Sequence, residues 1–241
     1  HDDYALVKAP NLWNRIYKWI FWIYLPVKFA DRTDCITDET YRKINRYVHS
    51  RKMGVFTHHA LYATYHFMPQ IFNKVCPCIL QIGTDSQKNL ETTLQALVGM
   101  KCRLRVVGKM TSKQHRLAQN LKVDYTNVYG LTDEEIIHEY KDADIVVFPS
   151  LYEGFGMPII EAQAIGRAVI TSNRAPMNWV AGNETALLNN PLDVYEYRNL
   201  IGKLMSDDKY RECIIAEGLK NVTRFDVIQI VSKYMVLCRN Y

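Results

Sequence analysis

From residue 79 onward the chain alternates short apolar runs with amphipathic stretches, and that alternation leaves few folds open. The runs are ILQIG (79–83), RLRVVG (103–108), Thr126–Tyr129, DIVVFPS (144–150) and RAVITS (167–172). Each has the length of a buried strand. Between them lie segments with helical spacing. Residues 89–99 put Leu90, Leu94 and Leu97 on one face, and 112–121 form a second such stretch. Asp133–Lys141 opens at Thr132 with Glu135 three residues on, the pairing of a capping box. Residues 157–166 carry Pro158 in the first turn and Gly166 past the end. Strands alternating with helices of this length build a parallel sheet covered on both faces, so the expected class is α/β. Two further helices are expected at about 194–206 and 208–221, then a last apolar segment at 226–238.

The first third reads differently. Residues 1–78 hold 11 basic and 6 acidic side chains, while 79–241 hold 19 of each, so the net charge of +5 arises entirely in the first part. Five charges without a zinc-finger, basic-helix or RNA-binding pattern do not argue for nucleic acid. Residues 11–29, NLWNRIYKWIFWIYLPVKF, are the most apolar stretch, interrupted by Arg15 and Lys18 and expected to end at Pro26. It is too short and too charged to span a bilayer. Its Trp and Tyr residues beside Lys and Arg suit a helix lying in a membrane interface at 11–25; the alternative is a helix packed against its own domain. A strand at Asp34–Thr37, a helix at 38–50 and a strand at Met53–Thr57 follow. The six cysteines show no metal-ligand spacing, and Cys76-Pro-Cys78 is too close for an unstrained disulfide. Reduced thiols fit the cytoplasm.

In a sheet of this kind ligands bind beyond the carboxyl ends of the strands. The richest such segment is Pro149-Ser150-Leu151-Tyr152-Glu153-Gly154-Phe155-Gly156-Met157-Pro158-Ile159-Ile160-Glu161. Gly154 and Gly156 let backbone approach a ligand closely. The helix beginning near Pro158 offers free N–H groups and a positive end to a phosphate. The flanking carboxylates suit sugar hydroxyls, because a carboxylate accepts two hydrogen bonds from adjacent hydroxyls. A phosphate cradle bracketed by acids matches a sugar nucleotide. Asp142-Ala143-Asp144 spells a metal-binding triplet, but it precedes a strand, at the end away from the ligand crevice, and no metal site is expected.

EGFGMPIIE resembles the Glu-x7-Glu motif of retaining glycosyltransferases of family 4, which have the GT-B fold of two Rossmann-like domains. The surrounding order is similar too: IGTDSQKNLETTLQAL, LRVVGK, VYGLTDEE, YKDADIVVFPSLYEGFGMPIIEAQAIGRAVITSN and VAGNETALLNNPLDV. The resemblance implies a nucleotide-sugar-binding Rossmann-like domain at 78–225, part of an N-terminal acceptor-side domain at 1–77, and a C-terminal helix at 226–241 returning toward the N-terminal part. His1-Asp2-Asp3 resembles the His-Asp that closes a strand of the family's N-terminal domain. A complete acceptor domain would need strands before it, so the chain is read as the C-terminal part of a longer enzyme or a truncated relative.

By that resemblance Glu153 contacts the donor sugar, and the Gly154-Phe155-Gly156 turn, with Met157 after it, holds sugar and distal phosphate. Glu161 binds the ribose hydroxyls. Lys88, in the loop with Gly83 and Thr84, pairs with the diphosphate. Tyr129 and Leu131 lie where the nucleobase is held, and His1 lies near the reacting sugar. Glu153, Lys88 and His1 would be the catalytic set. His58 and His59 read as hinge or core residues. Two departures stand out. Thr84 and Gln87 occupy places where many members carry a second basic residue, and Met177-Asn178-Trp179-Val180 replaces a Pro-Glu-Val step, which alters the loop beside the sugar pocket. The implied function is transfer of a sugar from a nucleotide-sugar to a glycan or lipid-linked acceptor in cell-surface polysaccharide synthesis. It is a metal-independent hexosyl transfer that needs no cofactor, performed in the cytoplasm or at the inner membrane face. A non-catalytic nucleotide-sugar-binding domain and a sugar-nucleotide epimerase share the architecture and stay open.

Overall fold

The computed structural model describes residues 6, 9–57, 60–61, 64–182 and 185–239. Two compact units form: described residues up to Ala60 together with those from Ile228 on, and Leu61–Val227.

In the smaller unit, α1 (Leu12–Lys18) runs into a π-helical stretch (Trp19–Tyr24) and then α2 (Leu25–Phe29). Asn11 caps α1, its side chain accepting the Asn14 N–H at 2.8 Å. The sequence reading ended this helix at Pro26, but the chain stays helical through Phe29. The wider π turn explains this. The Leu25 N–H reaches back five residues to the Ile20 carbonyl, so the ladder is already widened where Pro26, which has no N–H to donate, enters α2. Ile23 and Val27 turn inward with Cys35, Ile44, Val48 and Met53. Trp13, Tyr17, Phe21, Trp22 and Phe29 stay exposed. Strands β1 (Thr33–Cys35) and β2 (Met53–Val55) pair in parallel. Between them α3 (Asp38–Asn45) is capped by Thr37 and is shorter than the predicted 38–50, since Val48 leaves the helix and is buried in this core.

The larger unit is a parallel six-stranded sheet. Its strands are β3 (Cys78–Ile82), β4 (Arg103–Val107), β5 (Tyr125–Val128), β6 (Ile145–Phe148), β7 (Ala168–Ser172) and β8 (Ala186–Leu188), in the order β5-β4-β3-β6-β7-β8. This is the doubly wound Rossmann order. The intervening helices are α4 (Leu90–Ala96), α5 (Ser112–Asn120), α6 (Asp133–Asp142), α7 (Met157–Ile165) and α8 (Met177–Ala181). After β8 come α9 (Val194–Ser206) and α10 (Asp208–Val222); α11 (Val227–Arg239) follows and belongs, from Ile228 on, to the smaller unit. The expected α/β class is what forms. Every residue of β6 and β7 is buried, as expected of strands covered on both faces. The core joins Ile79, Leu104, Ile145, Val147 and Ile170 of the sheet to Leu90, Leu94, Tyr197, Ile201 and Leu204 of the helices. Helix α6 carries the predicted Thr132–Glu135 capping box. A second box, Thr111 with Gln114, opens α5.

Residues 64–77 run along the larger unit. The Met68 N–H donates to the Ile165 carbonyl at 3.1 Å. Asp144 accepts the N–H groups of Asn73 and Cys78 at 2.8 and 2.7 Å. The second acid of the Asp-x-Asp triplet therefore anchors backbone at the amino end of β6. All six cysteines are free thiols, and burial pushes Cys78 up to about 11. Among the described residues no helix is long and apolar enough to cross a membrane.

Candidate donor site at the switch point

Strands β3 and β6 lie side by side at the centre of the sheet, and the connections leaving them run to opposite sides. The crevice above their carboxyl ends is where such folds bind ligands. Two loops line it: Gly83–Asn89 after β3 and Pro149–Gly156 after β6.

The first loop starts at Gly83, whose φ of +92° is closed to most L side chains. A Cβ there would sit 2.8 Å from the Lys88 Cγ, so the bare glycine lets the lysine stem lie across it. A short 3-10 turn, Ser86–Lys88, leads into Asn89, which is left-handed (φ 58°) and precedes α4. Asn89 is buried, and its amide donates to the carbonyls of Pro149 (3.3 Å) and Pro191 (2.7 Å). The Leu151 N–H donates to the Gln87 carbonyl at 2.7 Å, and the Gln81 amide to the Lys88 carbonyl at 3.1 Å. The Leu151–Gln87 backbone bond and the Asn89 side chain thus stitch the two loops together.

That stitching delivers Lys88 to Glu153. Lys88 Nζ lies 2.6 Å from Glu153 Oε1 and 4.7 Å from the centroid of the Phe148 ring. The side chains are 19% and 14% exposed, so the pair is screened from bulk water but open to a ligand. Behind Glu153 the chain turns at Gly156 (φ +115°) into α7, with Pro158 in its first turn and no side chain capping it. The positive end of the helix dipole is left at the turn.

Phe155 anchors this turn. Its buried ring stands edge-on to Phe225 (5.7 Å) and Trp179 (6.4 Å), which meet each other at 6.0 Å. The Arg224 guanidinium lies 4.7 Å from Trp179 and 5.1 Å from Phe225. The side chain of Phe155 therefore faces protein and leaves the turn's backbone to a ligand. The substituted Met177–Val180 segment falls within α8, and its Trp179 braces the turn from that side.

Glu161 stands further along α7. Its Oε2 accepts the hydroxyl of Tyr140, a fully buried residue of α6, at 2.7 Å. Burial pushes the Glu161 carboxyl above the usual range; the Tyr140 hydrogen bond draws it down, and Asp133 adds to the rise. Tyr65 packs edge-on to Tyr140, ring centroids 6.1 Å apart. Tyr129, 62% exposed, and half-buried Leu131 follow β5, with Lys109 Nζ 5.9 Å from the Tyr129 ring. Thr84 turns its hydroxyl to the Lys109 carbonyl at 2.8 Å.

Of the residues singled out in the sequence, Gly83, Lys88 and Glu153 are thus brought into one cluster. Gly154, Phe155, Gly156 and Met157 continue directly from it. Glu161 is held by Tyr140, and Tyr129 and Leu131 lie past the end of an outer strand. His1, His58 and His59 lie outside the described residues. Sequence reasoning missed Asn89 and Tyr140, whose partners are 60 and 21 residues away. Asn89 at least follows a strand-end loop, where a buried hydrogen-bonding side chain is a reasonable suspect.

The Glycosyl transferases group 1 family model matches residues 71–221. The chain is 37% identical over 95 residues to the serotype-specific mannosyltransferase WbdA of Escherichia coli, covering 39% of this chain and 12% of WbdA. It is 30% identical over 174 residues to the O-antigen chain mannosyltransferase B of Escherichia coli, covering 66% of this chain and 45% of that protein. This chain therefore spans less than half the length of either relative. The crystal structure of Anabaena Alr3699/HepE in complex with UDP-glucose superposes with a TM-score of 0.79 at 14% identity, over 93% of this chain and 68% of that one. With a family match over 71–221 and the same fold as GT-B glycosyltransferases, the chain belongs to the group 1 glycosyl transferases.

Proposed function

We propose that this chain carries the donor site of a retaining, metal-independent hexosyltransferase of family 4, which moves a sugar from a nucleotide-sugar to a glycan or lipid-linked acceptor in cell-surface polysaccharide synthesis. The observation that carries this reading is the Lys88–Glu153 pair beside the glycine turn that opens α7. The names of the two E. coli relatives favour mannose as the sugar, and the HepE complex favours a nucleotide-sugar donor.

Without donor, Lys88 and Glu153 neutralise each other. A diphosphate entering above Gly83 competes for the ammonium, and Glu153 is released to accept sugar hydroxyls. Lys88 and the positive end of α7 then stabilise the charge that grows on the departing nucleotide. That is a preorganised electrostatic effect of the oxyanion-hole type. At about 4 Å and an effective dielectric near 20, one such charge pair is worth about 4 kcal/mol before desolvation. Glu161 keeps Oε2 on Tyr140 and offers Oε1 to the ribose. The Gly154–Met157 turn holds sugar and distal phosphate, and Tyr129 and Leu131 hold the base. The acceptor attacks on the face the nucleotide leaves. The exposed aromatic face of residues 11–25, with Arg15 and Lys18, docks the protein on the anionic inner membrane face, where lipid-linked acceptors lie.

Calorimetric titration with UDP-, GDP-, ADP- and CDP-sugars tests the donor site: one class binds, and Lys88→Ala weakens it by about tenfold or more. Binding by none overturns the reading. The anomeric configuration of the product, read by NMR, tests retention. A second reading, a non-catalytic donor-binding domain, is favoured by the single lysine in the Gly83–Asn89 loop. Binding without transfer or donor hydrolysis would decide for it.

A further inference from the structure

The Gly83–Asn89 loop holds one acid, Asp85, and one cation, Lys88, and that cation is shared with Glu153. A nucleotide-sugar brings two negative charges to the same place. Lys88 and the roughly half charge at the α7 terminus leave the second only partly balanced, and Thr84 and Gln87 do not supply the remainder.

The neighbouring strand end does. Strands β3 and β4 pair in parallel with Ile82 opposite Val107, so Gly83 lies abreast of Gly108 and Thr84 abreast of Lys109. The join is tight: a Cβ on Gly108 would meet Thr84 Cγ2 at 3.2 Å and Gly83 Cα at 3.4 Å. Thr84 donates its hydroxyl to the Lys109 carbonyl at 2.8 Å, and Gln114 of α5 donates to the Thr84 carbonyl at 2.8 Å. On the other side Asn127 of β5 donates to the Gly108 carbonyl at 2.6 Å. The backbone of Lys109 is thus held from both flanking strands, whereas its side chain is exposed. Its ammonium lies 5.9 Å from the Tyr129 ring, at the outer limit of a cation–π contact. Among the described residues no carboxylate lies within ion-pair distance of it. Lys109 therefore stands between the loop assigned to the diphosphate and the residues assigned to the base, with its charge uncommitted.

We infer that Lys109 contacts the donor's diphosphate and supplies the second positive charge that the Gly83–Asn89 loop lacks. The inference rests on the donor-site reading above. Its test uses the 241-residue chain and whichever of UDP, GDP, ADP and CDP binds it tightest. Lys109→Ala should weaken that nucleoside diphosphate by about tenfold, the scale of one charge-assisted contact, and leave the matching nucleoside, followed by ligand-detected NMR, unchanged. Lys109→Arg should stay within about threefold of the unaltered chain, since the charge is kept. Lys101→Ala, which removes the same charge near the opposite end of β4, should change neither. Equal binding of the diphosphate by Lys109→Ala, or an equal loss of the nucleoside, overturns the inference and leaves the donor site standing. Failure of the unaltered chain to bind any of the four overturns the donor site itself.

Discussion

Lys88 Nζ and Glu153 Oε1 stand 2.6 Å apart across the switch point of the sheet, joining the loop after β3 to the loop after β6. The two residues are separated by 65 positions in sequence, and the strand order makes them neighbours. If a donor has to part this pair, its two halves respond differently to substitution. Lys88→Ala should lower nucleoside diphosphate affinity by about tenfold or more. Glu153→Gln removes the competitor for Lys88 and should raise nucleoside diphosphate affinity severalfold while abolishing sugar transfer. Calorimetry with the diphosphate, alongside a transfer assay, reads both. A fall in diphosphate affinity in Glu153→Gln would contradict the exchange.

Gly83 makes room for the Lys88 stem, and its backbone lies where only glycine is at ease. Gly83→Ala should destabilise the protein by about 1–3 kcal/mol, the usual cost of a strained backbone, and shift Lys88 away from Glu153. Urea unfolding gives the first effect and loss of diphosphate affinity the second. An unchanged midpoint would refute the strain argument.

Buried Phe155 and Phe225, with the partly exposed Trp179, form an aromatic brace under the glycine turn. Phe155→Ala should cost about 3–5 kcal/mol, the range for emptying a large aromatic site. Phe155→Leu should cost less and keep donor binding. Thermal melts of the two variants separate them.

Glu161 introduces a pH dependence. Its carboxyl is raised by burial, so the folded state holds its proton to a higher pH than the unfolded chain does. Stability from this group is present at acid pH and is lost as pH rises from the ordinary carboxyl range through the raised folded value. Donor affinity should move the other way, because a ribose hydroxyl donates to the ionised carboxylate. Affinity should fall as pH drops through that same interval, and Glu161→Gln should flatten both profiles. Tyr140→Phe removes the bond that favours ionisation and should shift the profile further up. Calorimetry and urea unfolding across mildly acidic pH test these signs.

The alternation of apolar runs and amphipathic stretches was enough to determine the parallel α/β sheet, because buried strands and helices have different local periods. The glycine turn entering α7 and the Thr132–Glu135 cap were also legible, since each depends on residues a few positions apart. The tertiary structure decided the rest. Strand β8, three residues long, is too short to show a period, and it is set by pairing with β7. The helix passes Pro26 because a π turn relieves the proline, a compensation no composition rule contains. The pairing of Lys88 with Glu153, the hold of Tyr140 on Glu161 and the place of Lys109 beside Thr84 all depend on strand order and register. Those are summed over many weak long-range contacts, so no local stretch of residues encodes them.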